Sequence, residues 1–180
     1  MRVILLSIKP KYGFAILEGR KKYELRKCVN VRVMPGDLII MYFSSPVKAI
    51  VGYFKAGKVF LASPEEIKNI ISRLGDVGVD EEDFTYIDGF RKVMAIEVVE
   101  PRRCREVPLS RLRELNLRPP ISYIALSEDI AQILLKECGI DLRHDERGQG
   151  DRGVVKEKSY TDMAESSEKV SRGEVCKKRV

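Results

Sequence analysis

Val3-Ile4-Leu5-Leu6-Ser7-Ile8 is an almost unbroken apolar run, of a length that suits a strand with both faces partly covered. Pro10 then stands where a first helical position belongs and Gly19 where a helix should stop, with Phe14, Ala15, Ile16 and Leu17 between them as an apolar face. Tyr23-Glu24-Leu25-Arg26 alternates with period two, the pattern of a half-buried strand. Met34-Pro35-Gly36-Asp37 reads as a turn, Leu38 to Phe43 as a second apolar strand and Ser44-Ser45-Pro46 as a loop. Ala49 to Phe54 makes a further strand, and Val59, Phe60 and Leu61 continue as strand.

Ser63-Pro64-Glu65-Glu66 carries a capping box with proline at the first helical position. Ile67, Ile70, Ile71 and Leu74 follow at i, i+3, i+4 and i+7, which predicts an amphipathic helix. A short helix is expected from Asp80, with Glu81, Glu82 and Asp83 as its acidic first turn. Val93 to Val99 is a strand whose extension Pro101 should limit. Ser127 is placed to cap a last helix that turns Ile130, Ile133 and Leu134 inward and ends at Gly139.

From Asp141 to Val180 the periodicity is lost: charges of both signs crowd together and no Ile or Phe occurs. We expect a folded domain over 1–140 and a charged, mostly disordered tail over 141–180. Several neighbouring strands are joined by turns alone, so regular β-α-β crossovers are excluded. The expected architecture is α+β: a small mixed β-barrel with short helices packed at its ends.

Composition changes this picture little. The net charge of +6 favours an anionic partner, and the basic excess belongs to the body because the tail is nearly balanced. No run of 18 apolar residues exists, and the opening apolar stretch is too short for a secretion signal, so a cytoplasmic protein without membrane contact is expected. Cys28, Cys104, Cys138 and Cys176 are far apart and the one histidine, His144, falls in the tail. Neither a zinc site nor any cofactor is expected, and the cysteines read as reduced and buried. The isolated histidine also argues against Ser-His-Asp and Cys-His hydrolases. Gly52 to Lys58 fits G-x-x-x-x-G-K, but Val59 replaces the magnesium-binding hydroxyl and the segment continues as strand, which excludes a P-loop.

The chemistry concentrates in Gly19-Arg20-Lys21-Lys22-Tyr23-Glu24-Leu25-Arg26. Glycine permits the left-handed turn from helix to strand and leaves Lys21 at its mouth. Tyr23 and Leu25 share the core face, while Lys22, Glu24 and Arg26 share the other. Glu24 can brace the Arg26 guanidinium, and cations held by one carboxylate suit a phosphate or the polar edge of a base. The plainer alternative is that Lys22, Glu24 and Arg26 form the solvated face of an edge strand.

This segment matches G-x-K-x-x-E-x-R at every fixed position and resembles the ASCH domain family of the PUA-like superfamily. Ser7-Ile8-Lys9-Pro10, Ser44-Ser45-Pro46-Val47, Val51-Gly52 and Arg118-Pro119-Pro120 extend the likeness, towards the archaeal branch, over roughly residues 3 to 125. The resemblance implies a PUA-like barrel and a cleft that binds RNA or a nucleotide. Its candidate contacts are Lys21, Lys22, Glu24, Arg26, Ser44, Ser45 and Tyr123. A branch of the same fold hydrolyses acetylcytidine with a lysine, a threonine and a glutamate. Lys21 matches the lysine, but Glu24 stands at the threonine position, so an amidohydrolase using Lys21 and Glu24 is the alternative reading. A protein-interaction or regulatory domain acting through its tail is the third. Tyr42, Phe43, Tyr53 and Phe54 are further candidates for stacking on bases, and Arg102, Arg103 and Arg105 for tracking a backbone.

Overall fold

The computed structural model describes residues 1–29 and 31–141; the expected tail, with His144 and Cys176, lies outside the described residues. Six strands and five short helices occur among them, in the order β1 (Val3–Ile8), α1 (Pro10–Leu17), β2 (Tyr23–Lys27), β3 (Leu38–Phe43), β4 (Ala49–Ala62), α2 (Pro64–Leu74), α3 (Glu81–Ile87), β5 (Val93–Pro108), α4 (Leu109–Glu114), β6 (Tyr123–Ala125) and α5 (Glu128–Cys138). The strands form one sheet, β2-β5-β4-β3-β1-β6, curled into a half-barrel. Only the β1–β3 pairing is parallel. This is the mixed α+β architecture expected from the short connections.

Each face of the sheet has its own apolar cluster. Ile4, Leu6, Met41, Phe43, Met94 and Ile96 pack on one side, against Ile16 of α1. Tyr23, Leu25, Val93 and Ala95 pack on the other, beneath Ile67 and Ile71 of α2 and Ile87 of α3. The capping box of α2 is closed: Glu66 N donates to Ser63 Oγ and Ser63 N to Glu66 Oε2. Replacing Ser63 by alanine removes one of these bonds and is expected to cost about 1 kcal/mol in urea denaturation. No change in the midpoint would deny the cap a share in stability.

Several expectations need correction. Strand β5 does not stop at Pro101 but runs on to Pro108. The register against β4 shifts between Tyr53 and Lys55, which pair with Arg102 and Val99. Glu100 and Pro101 therefore fall in an irregularity, with Glu100 at φ 50°, where the missing proline N–H breaks no ladder bond. Helix α4 and strand β6 had no counterpart in the pattern, being too short to develop a period. The inward stripe of α5 is Ala131, Leu134 and Cys138, whereas Ile133 is exposed. Cys104 and Cys138 are free, as expected, but Cys28 is disulfide-bonded. No helix among the described residues is long and apolar enough to cross a membrane.

Candidate functional site

Gly19 takes φ 73° after the last turn of α1, and the amides of Arg20 and Lys21 both bond back to the Ala15 carbonyl. This reverses the chain and starts β2. Lys22 is then held on both sides, its N–H donating to the Val77 carbonyl and its own carbonyl accepting from Val98 N. Lys21 is thereby trapped beneath the segment that leads into α3. Register decides the rest. Glu24 pairs with Ile96 and Arg26 with Met94, and directly opposed residues point to the same face. Glu24 and Arg26 therefore project to the side where Met94 and Ile96 build the interior of the half-barrel.

Four charged side chains gather there, all nearly closed to solvent: Lys21 at 1%, Glu24 at 4%, Arg26 at 6% and Asp83 at 6% exposure. Lys21 Nζ lies 2.5 Å from Asp83 Oδ2, 3.4 Å from the Gly78 carbonyl and 3.9 Å from Glu24 Oε2. Arg26 Nη2 lies 2.8 Å from Glu24 Oε1. With Glu24 ionised, two positive and two negative charges cancel. Two buried polar atoms in this group have no hydrogen-bond partner, Glu24 Oε2 and Arg26 Nε. Buried polar atoms are nearly always paired, so two atoms of one ion pair left without hydrogen-bond partners mark a site whose bonding is incomplete.

Burial pushes the Glu24 carboxyl above its ordinary range, against the opposing pull of Arg26 and Lys21. The folded protein thus holds this proton more tightly than the unfolded chain does. Its share of stability is complete below about pH 4.5 and is lost as pH rises through the raised value.

Aromatic rings lie against the cluster. Tyr12 covers Lys21, whose Nζ stands 4.9 Å from the ring centroid, and its hydroxyl donates to Glu82 Oε2 at 2.8 Å. Lys11 Nζ reaches the same carboxylate at 2.6 Å. Burial and the Glu82 bond push the Tyr12 hydroxyl up to about 12. Tyr86 lies against Arg26, with its centroid 5.9 Å from Cζ. A cleft of about 370 Å³ opens beside Tyr12 and Lys21, lined also by Lys11, Phe14, Arg20 and Asp80. Among the described residues no group of His, Cys, Asp or Glu is arranged to hold a metal.

The structure brings together Lys21, Glu24 and Arg26 but not the other sequence candidates. Lys22 is exposed and outside the cluster. The solvated-edge reading is thus right for Lys22 and wrong for Glu24 and Arg26. Ser44 and Ser45 sit in the turn after β3, with a cis Ser45–Pro46 bond, and the Ser44 amide donates to the Ile8 carbonyl. Those bonds do not reach the charge cluster. Tyr123 is core, its hydroxyl donating to the Val31 carbonyl at 2.8 Å, and presents no ring face to a ligand. Tyr42, Phe43, Tyr53 and Phe54 are likewise buried, because both faces of the central strands are covered. Arg102, Arg103 and Arg105 are exposed, with Arg103 Cζ 5.4 Å from the Phe14 ring centroid. Asp83, Tyr12, Glu82 and Tyr86 were missed. Asp83 was visible only as part of an acidic first turn, and nothing local ties it to a lysine 62 residues earlier.

A family model described as the ASCH domain matches residues 6–106. Among solved structures, the chain is similar to an ASCH protein from Zymomonas mobilis, with 23% identity, TM-score 0.64, and coverage of 75% of this chain and 94% of that one. A serine-to-alanine mutant of that Zymomonas mobilis protein matches with 21% identity and TM-score 0.65, covering 75% and 95%. The N-terminal domain of Staphylothermus marinus McrB is also similar in fold, with 11% identity, TM-score 0.51, and coverage of 74% and 93%. No curated protein matches the chain.

Proposed function

The chain belongs to the ASCH domain family, and from that membership we propose that its buried charge cluster binds RNA or a nucleotide by reading the polar edge of one base. The observation that carries this reading is the orphaned pair, Glu24 Oε2 as acceptor and Arg26 Nε as donor. A base edge with an amino group beside a ring nitrogen or carbonyl offers the complementary donor and acceptor, and a carboxylate accepting from an exocyclic amino group is a recurrent form of base readout. Charge balance favours the base over the phosphate. A phosphate placed inside would leave the neutral cluster with net negative charge in a desolvated setting, whereas a neutral base keeps the balance. Phosphates belong instead on exposed cations such as Lys22 and Arg103.

The hydrolytic alternative asks Lys21 for a free amine. Its Nζ is engaged instead by Asp83 and the Gly78 carbonyl, an arrangement that suits a residue which positions Glu24. The likeness of the flanking segments to the archaeal branch, and a cytoplasmic setting, belong to the same reading.

Calorimetric titration with cytidine, adenosine, uridine and a short single-stranded RNA tests it. We expect the amino-bearing nucleosides to bind more tightly than uridine. Glu24→Gln and Arg26→Gln should each lose at least about tenfold in affinity, within the range for one paired base contact. Glu24 must be ionised to accept two donors. Affinity should therefore be low near pH 4.5 and rise with pH through the raised Glu24 value, while Glu24→Gln stays flat. Nucleoside binding should ignore salt and RNA binding should weaken with it. Binding that is indifferent to Glu24, Arg26 and pH would overturn the proposal.

A further inference from the structure

The two orphaned atoms, Glu24 Oε2 and Arg26 Nε, are closed to solvent, so a ligand reaches them only when a covering group moves. Tyr12 and Tyr86 are the two rings against the cluster, and they are held very differently. Tyr12 is tied by a 2.8 Å bond to Glu82, itself 2.6 Å from Lys11. Tyr86, on the last turn of α3, is 38% exposed, and among the described residues its hydroxyl meets only Ser122 Oγ, at 3.4 Å. That is the outer limit of a hydrogen bond, between two groups that water can serve equally well.

Position adds to this weak anchoring. The Tyr86 ring lies against Arg26 Cζ at 5.9 Å and has Lys27 Nζ 4.6 Å from its centroid. Lys27 Nζ is also 4.3 Å from the Phe90 centroid, which holds that ammonium between two rings. Tyr86 spans from α3 to Ser122, directly before β6, across the guanidinium that carries the free donor. Both Tyr12 and Tyr86 border the cluster and solvent, but Tyr86 is the more exposed and the less firmly held. The aromatics chosen from the sequence for this role are all buried.

We infer that Tyr86 is the base-stacking residue of the site: its ring leaves Ser122 and packs against the base whose edge engages Glu24 and Arg26. This rests on the base-reading proposal above and adds the residue that admits and orients the base. Stacking on a tyrosine is sequence-tolerant, so Tyr86 supplies affinity while Glu24 and Arg26 supply selectivity.

The test uses the full chain and a single-stranded RNA hexamer carrying one 2-aminopurine, whose fluorescence is quenched by stacking, with affinity measured separately by calorimetry. Wild type and Tyr86→Phe should both quench the probe, and Tyr86→Phe should bind at least as tightly, since it keeps the ring and loses the Ser122 contact. Tyr86→Ala and Tyr86→Leu should bind roughly tenfold or more weakly, without protein-induced quenching. Leucine restores apolar bulk without a π face and also guards against a folding defect in the alanine variant. Suppose Tyr86→Ala or Tyr86→Leu binds and quenches like wild type while Glu24→Gln loses binding. The base-reading site then stands and the role of Tyr86 is overturned. If the wild type binds neither the hexamer nor any nucleoside, both proposals fall together.

Discussion

Replacing Lys21 by methionine is expected to destabilise the protein by about 3–5 kcal/mol, the usual cost of breaking a buried ion pair from one side. Methionine nearly preserves volume, so the loss reports charge and not packing. Lys21 is 1% exposed, and its departure leaves Asp83 buried without its 2.5 Å partner and Glu24 without a second cation nearby. In a thermal melt this corresponds to a fall of roughly ten degrees. Asp83→Asn in the same chain should restore a large part. The asparagine carbonyl can still accept the Asp80 N–H that closes the capping box of α3, while the uncompensated charge is gone. Coupling of about 2 kcal/mol in the double-mutant cycle would confirm the pair. A Lys21→Met variant within about 1 kcal/mol of wild type would show that the ion pair carries no stability.

Gly78→Ala should be comparably severe for a different reason. Gly78 has φ +72°, and a Cβ there would lie 2.1 Å from the Arg20 carbonyl oxygen and 2.6 Å from Lys21 Cα. Both are backbone atoms, and that backbone is held by the 2.8 Å bond from Lys22 N to the Val77 carbonyl, so neither side can yield cheaply. Left-handed strain of about 1–2 kcal/mol and overpacking of about 1–3 kcal/mol together predict a loss of roughly 3 kcal/mol in urea denaturation. Gly89 is the control. It has φ +73°, almost that of Gly78, with nothing within 4 Å of the added carbon, so Gly89→Ala should show the conformational part alone. Equal losses at the two positions would mean that the close approach at Gly78 is unimportant. Because the Gly78 carbonyl also faces Lys21 Nζ, the variant should weaken base binding as well.

The local devices of this fold were legible because each is written within a few residues. The capping box at Ser63, the helix start at Asp80, the glycine stops at Gly19 and Gly139, and a strand over Tyr23 to Arg26 all took the expected form, whereas the capping box that Asp80 makes with Asp83 went unread. The G-x-K-x-x-E-x-R spacing likewise determined that Glu24 and Arg26 would share one face and that Lys21 would sit at the mouth of the turn. Alternation names a face, however, and not what covers it. Whether that face was solvent or interior depended on the curl of the sheet, which lays β2 along β5 and turns Glu24 and Arg26 towards Met94 and Ile96. The same curl buried Tyr42, Tyr53 and Tyr123, which alternation alone left free to serve as stacking platforms. The sequence by itself therefore determined the elements, their caps and the chemical character of the motif. Only the tertiary structure decided that Asp83 neutralises Lys21, that Glu24 and Arg26 keep two buried atoms without hydrogen-bond partners, and that Tyr86 lies against the Arg26 guanidinium. The reason is range: hydrogen-bonded turns and side-chain periods are set by neighbours along the chain, whereas ion pairing and desolvation depend on groups brought together by closing loops of roughly sixty residues, as between Lys21 and Asp83.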